Sequence, residues 1–185
     1  TNPGTTEFVP VAGTSSTRAM FQIWGWGMAN CVDMSEMFMN SGVRFLDLSR
    51  WDVGSCTDMT RMFANTQLER LNLGRGGRLG SQWNVSNVTT MEGMFQNCKL
   101  DVLTYLLLGN YNHQWNFVKT QPITDRTRDV GIFDVGQVTN FDDMFRDSNV
   151  NSNMTLWDVD AALTFDGFNT NSTIPTEHLP DFTFP

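Results

Sequence analysis

The chain has 185 residues, of which 40% are apolar, so it is long enough for one folded domain with a sizeable core. Its formal net charge of −8 and its isoelectric point of about 4.5 argue against nucleic acid and anionic membranes as partners. The longest apolar run, Tyr105 to Leu108, is far shorter than the roughly 20 residues of a membrane-spanning helix.

Residues 1–23 lack the repeat that follows and are predicted to form an N-terminal cap, in which Phe8, Val9, Val11 and Phe21 cover the first unit. No targeting segment is visible in the chain. Because the chain begins at Thr1 rather than at a Met, this says nothing about where the protein is located.

A repeat of about 25 residues runs from residue 24 to residue 172, and each unit starts at an aromatic residue. The five starts are Trp26, Trp51, Trp83, Phe133 and Trp157. Counting each start as position 0, apolar residues recur at +2, +5, +8, +11 and +12, and only Asn169 breaks the rule. Small polar residues recur at +14 and +15, which is typical of a turn whose backbone is capped by its own side chains. Such self-similarity indicates a solenoid, in which a unit buries its apolar face only against its neighbours.

Each unit is predicted to contain a short parallel strand and then a short helix. The segment from Val43 through Leu46 and Leu48 fits the strand of a leucine-rich repeat. Three pairs fit the start of a helix: Thr89 with Glu92, Thr139 with Asp142, and Asp33 with Glu36. The apolar residues at +8, +11 and +12 would then lie on one helical face. The predicted fold class is an α/β repeat, a leucine-rich-repeat-like solenoid of about five units.

Insertions interrupt the repeat at residues 74–82, 105–114 and 116–132, and residues 173–185 are predicted to be a C-terminal cap or tail. Insertions in solenoids often form the binding face. The candidate partner-binding residues there are Arg75, Arg78, Lys119, Asp125, Arg126 and Arg128. Exposed strand positions are a second candidate, represented by Asp47 and Arg50. Solvated loops without a partner remain the alternative.

No catalytic, metal or cofactor site is predicted. His113 and His178 have no Cys or His at ligand spacing, and the adjacent carboxylates Asp142 and Asp143 would point apart on a helix. Three cysteines cannot form a closed set of disulfides.

The cysteines are instead interpreted by their places in the repeat. Cys31 and Cys56 share position +5 with Val and Ala, so buried and inert thiols are expected, with a bridge between them as the lesser alternative. Cys98 replaces Ser or Thr at position +15, where it is expected to act as a weak hydrogen-bonding substitute.

Four Asn-x-Ser/Thr sequences are acceptor motifs for N-glycosylation, at Asn84, Asn87, Asn153 and Asn171. Their number is close to what chance supplies in a chain rich in Asn, Ser and Thr. They therefore do not establish secretion.

Residues 51–63, WDVGSCTDMTRMF, and residues 83–95, WNVSNVTTMEGMF, resemble the BspA-like leucine-rich repeats, including the mycoplasma-lipoprotein type with the consensus W-D-V-S-N-V-T-D-M-x-x-M-F. The resemblance covers residues 24–172. It implies a non-enzymatic surface or secreted protein that mediates adhesion or protein–protein contact.

Two functional hypotheses follow. The first is a non-catalytic interaction or structural module with a protein partner, either an extracellular or cell-surface adhesion protein or a subunit of a large particle. The second is a carbohydrate-binding or enzymatic protein that uses the insertion loops. It would require a buried pocket with converging carboxylates between residues 105 and 132.

Overall fold

The computed structural model describes residues 21–23, 26–48, 51–73, 84–100, 134–150, 154–155 and 157–183. Residues 1–20, the starts Trp83 and Phe133, and all three insertions lie outside the described residues.

Three short parallel strands form one sheet. They are β1 (Phe21–Gln22), β2 (Phe45–Asp47) and β3 (Arg70–Asn72), in the spatial order β1-β2-β3. Leu46 in the central strand pairs with Phe21 on one side and with Leu71 on the other. Residues that pair in neighbouring strands are therefore separated in the sequence by one repeat length. One further element, a 3₁₀ helix at Thr176–His178, lies near the C-terminus.

A second ladder joins all five units at position +7. Single parallel bridges connect, in chain order, Asp33, Asp58, Thr90, Asn140 and Thr164. The bridges keep this register although the unit starts are unequally spaced in sequence. The five units are therefore stacked in parallel, each on the next.

The segments expected to be short helices are turns, which corrects the prediction for residues 35–40, 60–65, 92–97, 142–147 and 166–171. A helix needs N–H groups that donate four residues back. Here the N–H groups at +8, +10, +12 and +14 donate instead to carbonyls of the following unit, at 2.7–3.1 Å. The bond from Phe38 N to Met62 O, 2.9 Å, is one example. Backbone hydrogen bonds between units therefore form in place of the hydrogen bonds within a helix.

The backbone conformation of these turns also excludes a helix. Positions +10 and +14 have positive φ in every unit, which places a left-handed residue twice in each turn segment. The residues concerned are Glu36, Asn40, Arg61, Asn65, Gly93, Asn97, Asp143, Asp147, Gly167 and Asn171. Asn, Asp and Gly tolerate this conformation best, and Asn or Asp fills position +14 throughout.

The expected helix-starting pairs have other roles. The Thr89 hydroxyl donates to the carbonyl of Thr57, and the Thr139 hydroxyl donates to that of Thr89, both at 3.1 Å. Asp33 accepts from the N–H of Ser35 at 2.8 Å, as in an Asx turn. Position +6 thus joins neighbouring units, and position +7 shapes the turn.

The core consists of columns of apolar side chains that run along the stack. The clearest column is at +12, where consecutive ring centroids are 5.6, 5.4 and 5.7 Å apart, from Phe38 through Phe63 and Phe95 to Phe145. Phe63 and Phe95 are fully buried, which contributes about 1.5–3 kcal/mol for each side chain. The column stops at Asn169, and the edge of Phe168 covers Phe145 instead, at 5.3 Å.

The C-terminal tail packs on the last unit. Ile174 is buried, and Phe182 stacks on Phe165 with ring centroids 4.4 Å apart. Phe182 also contacts Phe141 and Phe168 edge-on. The tail therefore covers apolar side chains at the end of the stack.

Candidate interaction surface

The side chains at +7, +9 and +10 form one polar flank of the stack, which we call the turn face, and in units 3 to 5 the polar side chains at +13 extend it. Hydrogen bonds and ion pairs link them across units. The Thr60 and Thr90 hydroxyls are 3.2 Å apart, and the guanidinium of Arg61 pairs with Glu92 at 2.9 Å. Because these side chains belong to turns of successive units, the flank is continuous from unit to unit.

An open cavity of about 580 Å³ lies on the turn face of units 3 to 5. It is lined by Glu92, Asp142, Asp143, Arg146, Asp166, Gly167 and Thr170. Asp142 accepts from the N–H of Asp166 at 2.7 Å, and Asp143 accepts from the Arg146 guanidinium at 2.9 Å.

Asp142 and Asp143 do not point apart as on a helix, because both line this cavity. The reason is local, since this segment is a turn with Asp143 at φ 54°. In the described part of the chain no group of three or more His, Cys, Asp or Glu residues is arranged to hold a metal ion. The cavity therefore presents carboxylate oxygens that can bind basic or hydroxyl-bearing groups.

The side chains that form the ion pairs of the turn face are partly exposed, so solvent weakens the attraction between their charges. The side chains of Arg61 and Glu92 are 46% and 34% exposed. Such pairs contribute about 0–1 kcal/mol to stability. A partner that offers its own charges can therefore replace these contacts at small cost.

Asp47 does not lie on an exposed strand face, which corrects the prediction. It is 3% exposed, because all three residues of β2 are buried and neither face of this strand is open to solvent. Arg50 lies outside the described residues, as do the loop candidates Arg75, Arg78, Lys119, Asp125, Arg126 and Arg128.

The described glycosylation motifs differ in how their side-chain amides are used. The Asn87 amide nitrogen donates to the carbonyl of Gly54 at 2.7 Å, and that of Asn171 donates to Asp147 at 3.0 Å. Asn84 is exposed, and its amide oxygen accepts from the N–H of Ser86 at 3.1 Å. Asn153 lies outside the described residues. The side-chain amides of Asn87 and Asn171 therefore already take part in contacts between units, whereas that of Asn84 bonds within its own turn.

The three cysteines are free thiols in the structure. Cys56 and Cys98 are buried and Cys31 is half-buried, and the Cys56 thiol donates to the carbonyl of Asp58 at 3.2 Å. Burial raises the pKa of Cys56 to about 11 and also raises the pKa of Cys98. At position +15, Cys98 is 3.3 Å from the Thr66 hydroxyl of the neighbouring unit.

Only one of the two histidines lies in the described part of the chain. His113 lies outside the described residues, and His178 is half-buried. The backbone carbonyl of His178 accepts from the N–H of Met154 at 2.8 Å, which ties the tail to residues just before unit 5.

Sequence reasoning considered Asp142 and Asp143 only as a catalytic pair and missed that the carboxylates gather on one turn face. A signal was present, since +9 and +10 are polar or Gly in every unit although apolar residues stand at +8 and +11. On a helix these positions would face solvent, where polar residues are expected without any functional role. The turn brings them to the same flank in every unit.

These features define the class: the described residues belong to a repeat protein of stacked units joined by backbone ladders. A family model described as "Mycoplasma protein of unknown function, DUF285" matches residues 12–101 and 120–174, and the chain belongs to this family of mycoplasma-type repeat proteins. No curated protein and no solved structure matches the chain. Among the described residues, no helix has the length and apolar character needed to cross a membrane.

Proposed function

We propose that the protein is a non-catalytic module for protein–protein contact, a BspA-like leucine-rich-repeat solenoid that acts at a cell surface, outside the cell or within a large particle. The observation that supports this is the continuity of the turn face. It carries linked polar and charged side chains, such as Arg61, Glu92 and Arg146, along successive units. An extended polar flank of this kind suits a macromolecular partner better than a small substrate.

The partner is proposed to contact the turn face together with the insertion loops. The carboxylates Asp142 and Asp166 on the cavity rim favour a partner that presents Lys or Arg side chains, because opposite charges steer association and fix its register. The basic loop residues Arg126 and Arg128 would contact acidic groups of the same partner.

Charge-reversal variants test this proposal. Asp166→Lys changes an exposed carboxylate of the cavity, Arg126→Glu/Arg128→Glu changes the loop, and Glu177→Lys is a matched control on the exposed 3₁₀ helix. Proteins that co-purify stoichiometrically from the producing cells are quantified by mass spectrometry. We expect wild type and the control to retain a common partner, and the other two variants to lose at least about 90% of it.

Equal recovery of the partner by all four proteins would exclude docking on the turn face and the loops. Location is tested separately by labelling intact cells with a membrane-impermeant amine reagent. Labelling of intact cells supports the surface version, and recovery only within a particle supports the assembly version. A protein found free inside the cell contradicts both.

The carbohydrate-binding or enzymatic alternative depends on a pocket between residues 105 and 132, and these residues lie outside the described part of the chain. No described feature favours it over protein binding.

A further inference from the structure

The two ends of the stack carry complementary backbone groups. At each internal junction the N–H groups at +10, +12 and +14 donate to the carbonyls at +9, +11 and +13 of the next unit. Unit 5 ends with three such N–H groups that have no acceptor in the described part of the chain, those of Gly167, Asn169 and Asn171. Unit 1 begins with three carbonyls that have no donor there, those of Ser35, Met37 and Met39. The donors and acceptors occupy the positions that pair at every internal junction.

Position +6 distinguishes the end units from the inner ones. The inner units have Thr there, and its hydroxyl donates to the preceding unit. The end units have Val32, which is 54% exposed, and Leu163, which is 79% exposed. The internal ladder at +6 runs from an N–H to the carbonyl of the preceding unit, as from Leu163 N to Thr139 O at 2.7 Å. If the ladder were extended by one step, Val32 of another chain would lie against Leu163.

We propose that a second copy of this chain stacks head to tail, with its unit 1 on unit 5 of the first copy. The N–H groups of Gly167, Asn169 and Asn171 then donate to the carbonyls of the incoming unit 1, and Val32 packs on Leu163. Open strand edges pair in this way with a matching edge of another chain. Stacking requires that the predicted cap formed by residues 1–20, which lie outside the described residues, leaves the carbonyls of unit 1 accessible. The contact is heterologous, so the same step can repeat and leads to open chains of copies rather than to closed dimers.

The C-terminal tail competes with this contact. Phe182 stacks on Phe165, the exposed +8 side chain of the last unit, at 4.4 Å. An incoming unit 1 would bring Met34 against Phe165, so Phe182 has to move aside. Loss of the Phe182 ring is therefore expected to strengthen association. This inference concerns the ends of the stack and does not rest on the partner proposed for the turn face.

The test is sedimentation velocity of the full chain over a range of concentrations. We expect Phe182→Ser to form a series of growing species at a concentration about tenfold lower than wild type does. Val32→Lys and Leu163→Lys, each added to Phe182→Ser, place a charge on one end and should leave monomers. Glu177→Lys, added to the same background, introduces a Lys away from both ends and should not change association.

A mixture of the two blocked proteins gives the sharpest result. The protein with Val32→Lys keeps an intact unit 5, and the protein with Leu163→Lys keeps an intact unit 1. Mixed together, they should form one-to-one dimers that do not grow further. Circular dichroism and thermal melting establish that each variant is folded.

Three results would overturn the proposal: Phe182→Ser stays monomeric at every concentration, the blocked variants associate as the unblocked protein does, or their mixture stays monomeric. If Phe182→Ser does not fold, the same two Lys variants in the wild-type background decide the matter. Wild type must then associate at high concentration, and each Lys variant must not.

Discussion

Position +14 shows most clearly how a single residue acts between units. The Asn65 amide donates to Asn40, and the Asn97 amide donates to Asn65, both at 3.0 Å. Asn171 donates to Asp147 at 3.0 Å. Asp147 accepts this bond, but an ionised carboxylate has no hydrogen to donate to Asn97. The ladder of side-chain amides is therefore interrupted at one junction.

We expect Asp147→Asn to stabilise the protein by about 0.5–1 kcal/mol, because the new amide can donate to Asn97 and continue the ladder. The substitution also removes an exposed ion pair with Arg146 at 3.9 Å, which stabilises the protein only slightly. The free energy of unfolding is measured by urea denaturation. Asp134→Asn is the matched control, since Asp134 is exposed at position +1, outside this ladder. Equal effects of the two substitutions would contradict the explanation.

The thiol of Cys56 should be almost unreactive in the folded protein. Because burial raises its pKa from 9.0 to about 11, the thiolate fraction at pH 8 is smaller by about a hundredfold. Alkylation at pH 8, followed site by site with mass spectrometry, should modify the half-buried Cys31 first and Cys56 only after unfolding. Rapid labelling of Cys56 in the folded protein, or a mass that reveals a bridge to Cys31, would contradict this.

At the scale of the element, each turn segment depends on two left-handed residues. The N–H at +11 donates to the carbonyl at +8, as from Met94 to Met91 at 3.1 Å, and the residue between them at +10 has positive φ. A type II turn makes the same demand on its third residue. In unit 3 this residue is Gly93, with φ +57°.

Replacing Gly93 by Ala should therefore destabilise the protein by about 1–2 kcal/mol, through the left-handed backbone and a contact of the new Cβ with Arg61 Cγ at 3.1 Å. Gly27→Ala is the matched control, because a Cβ there meets nothing within 4 Å. Thermal and urea unfolding of both variants measure the difference. A Gly93→Ala protein as stable as the control would mean that position +10 can leave the left-handed region.

Prediction from the sequence is most reliable where apolar side chains repeat, and least reliable where backbone pairing decides the local structure. Apolar character at position +12 in successive units predicts burial in one column, and the Phe rings do stack there. The i, i+3, i+4 spacing of Met34, Met37 and Phe38 predicts a helix, and this prediction is wrong. Turns in series produce the same spacing, and only the neighbouring units decide between the two.

The same limit applies to the candidate site and to the family. The prediction that Asp47 is exposed is wrong because alternation in the sequence does not tell whether the second face of a strand is covered as well. The mycoplasma-type repeat, in contrast, is recognisable from residues 51–63 and 83–95, and the family match confirms it at that level.

At the scale of the whole molecule, stability is expected to be highest in the middle of the stack. A unit in the middle forms backbone hydrogen bonds with the units on both sides. Within the described residues, unit 5 forms such bonds with unit 4 but with no following unit. In such one-dimensional assemblies, opening starts at the ends. The N–H groups that join units 2 and 3 therefore open only when most of the molecule does.

Native-state hydrogen exchange followed by NMR tests this. The N–H groups of Arg61, Phe63 and Phe95 donate to the next unit at 2.8–2.9 Å and should show the slowest exchange, near the limit set by global unfolding. Those of Gly167 and Asn169 should exchange within about tenfold of the rate of an unstructured chain. They should become protected at concentrations where copies stack, while the central groups stay unchanged. Uniform protection along the stack of dilute protein would contradict this distribution of stability.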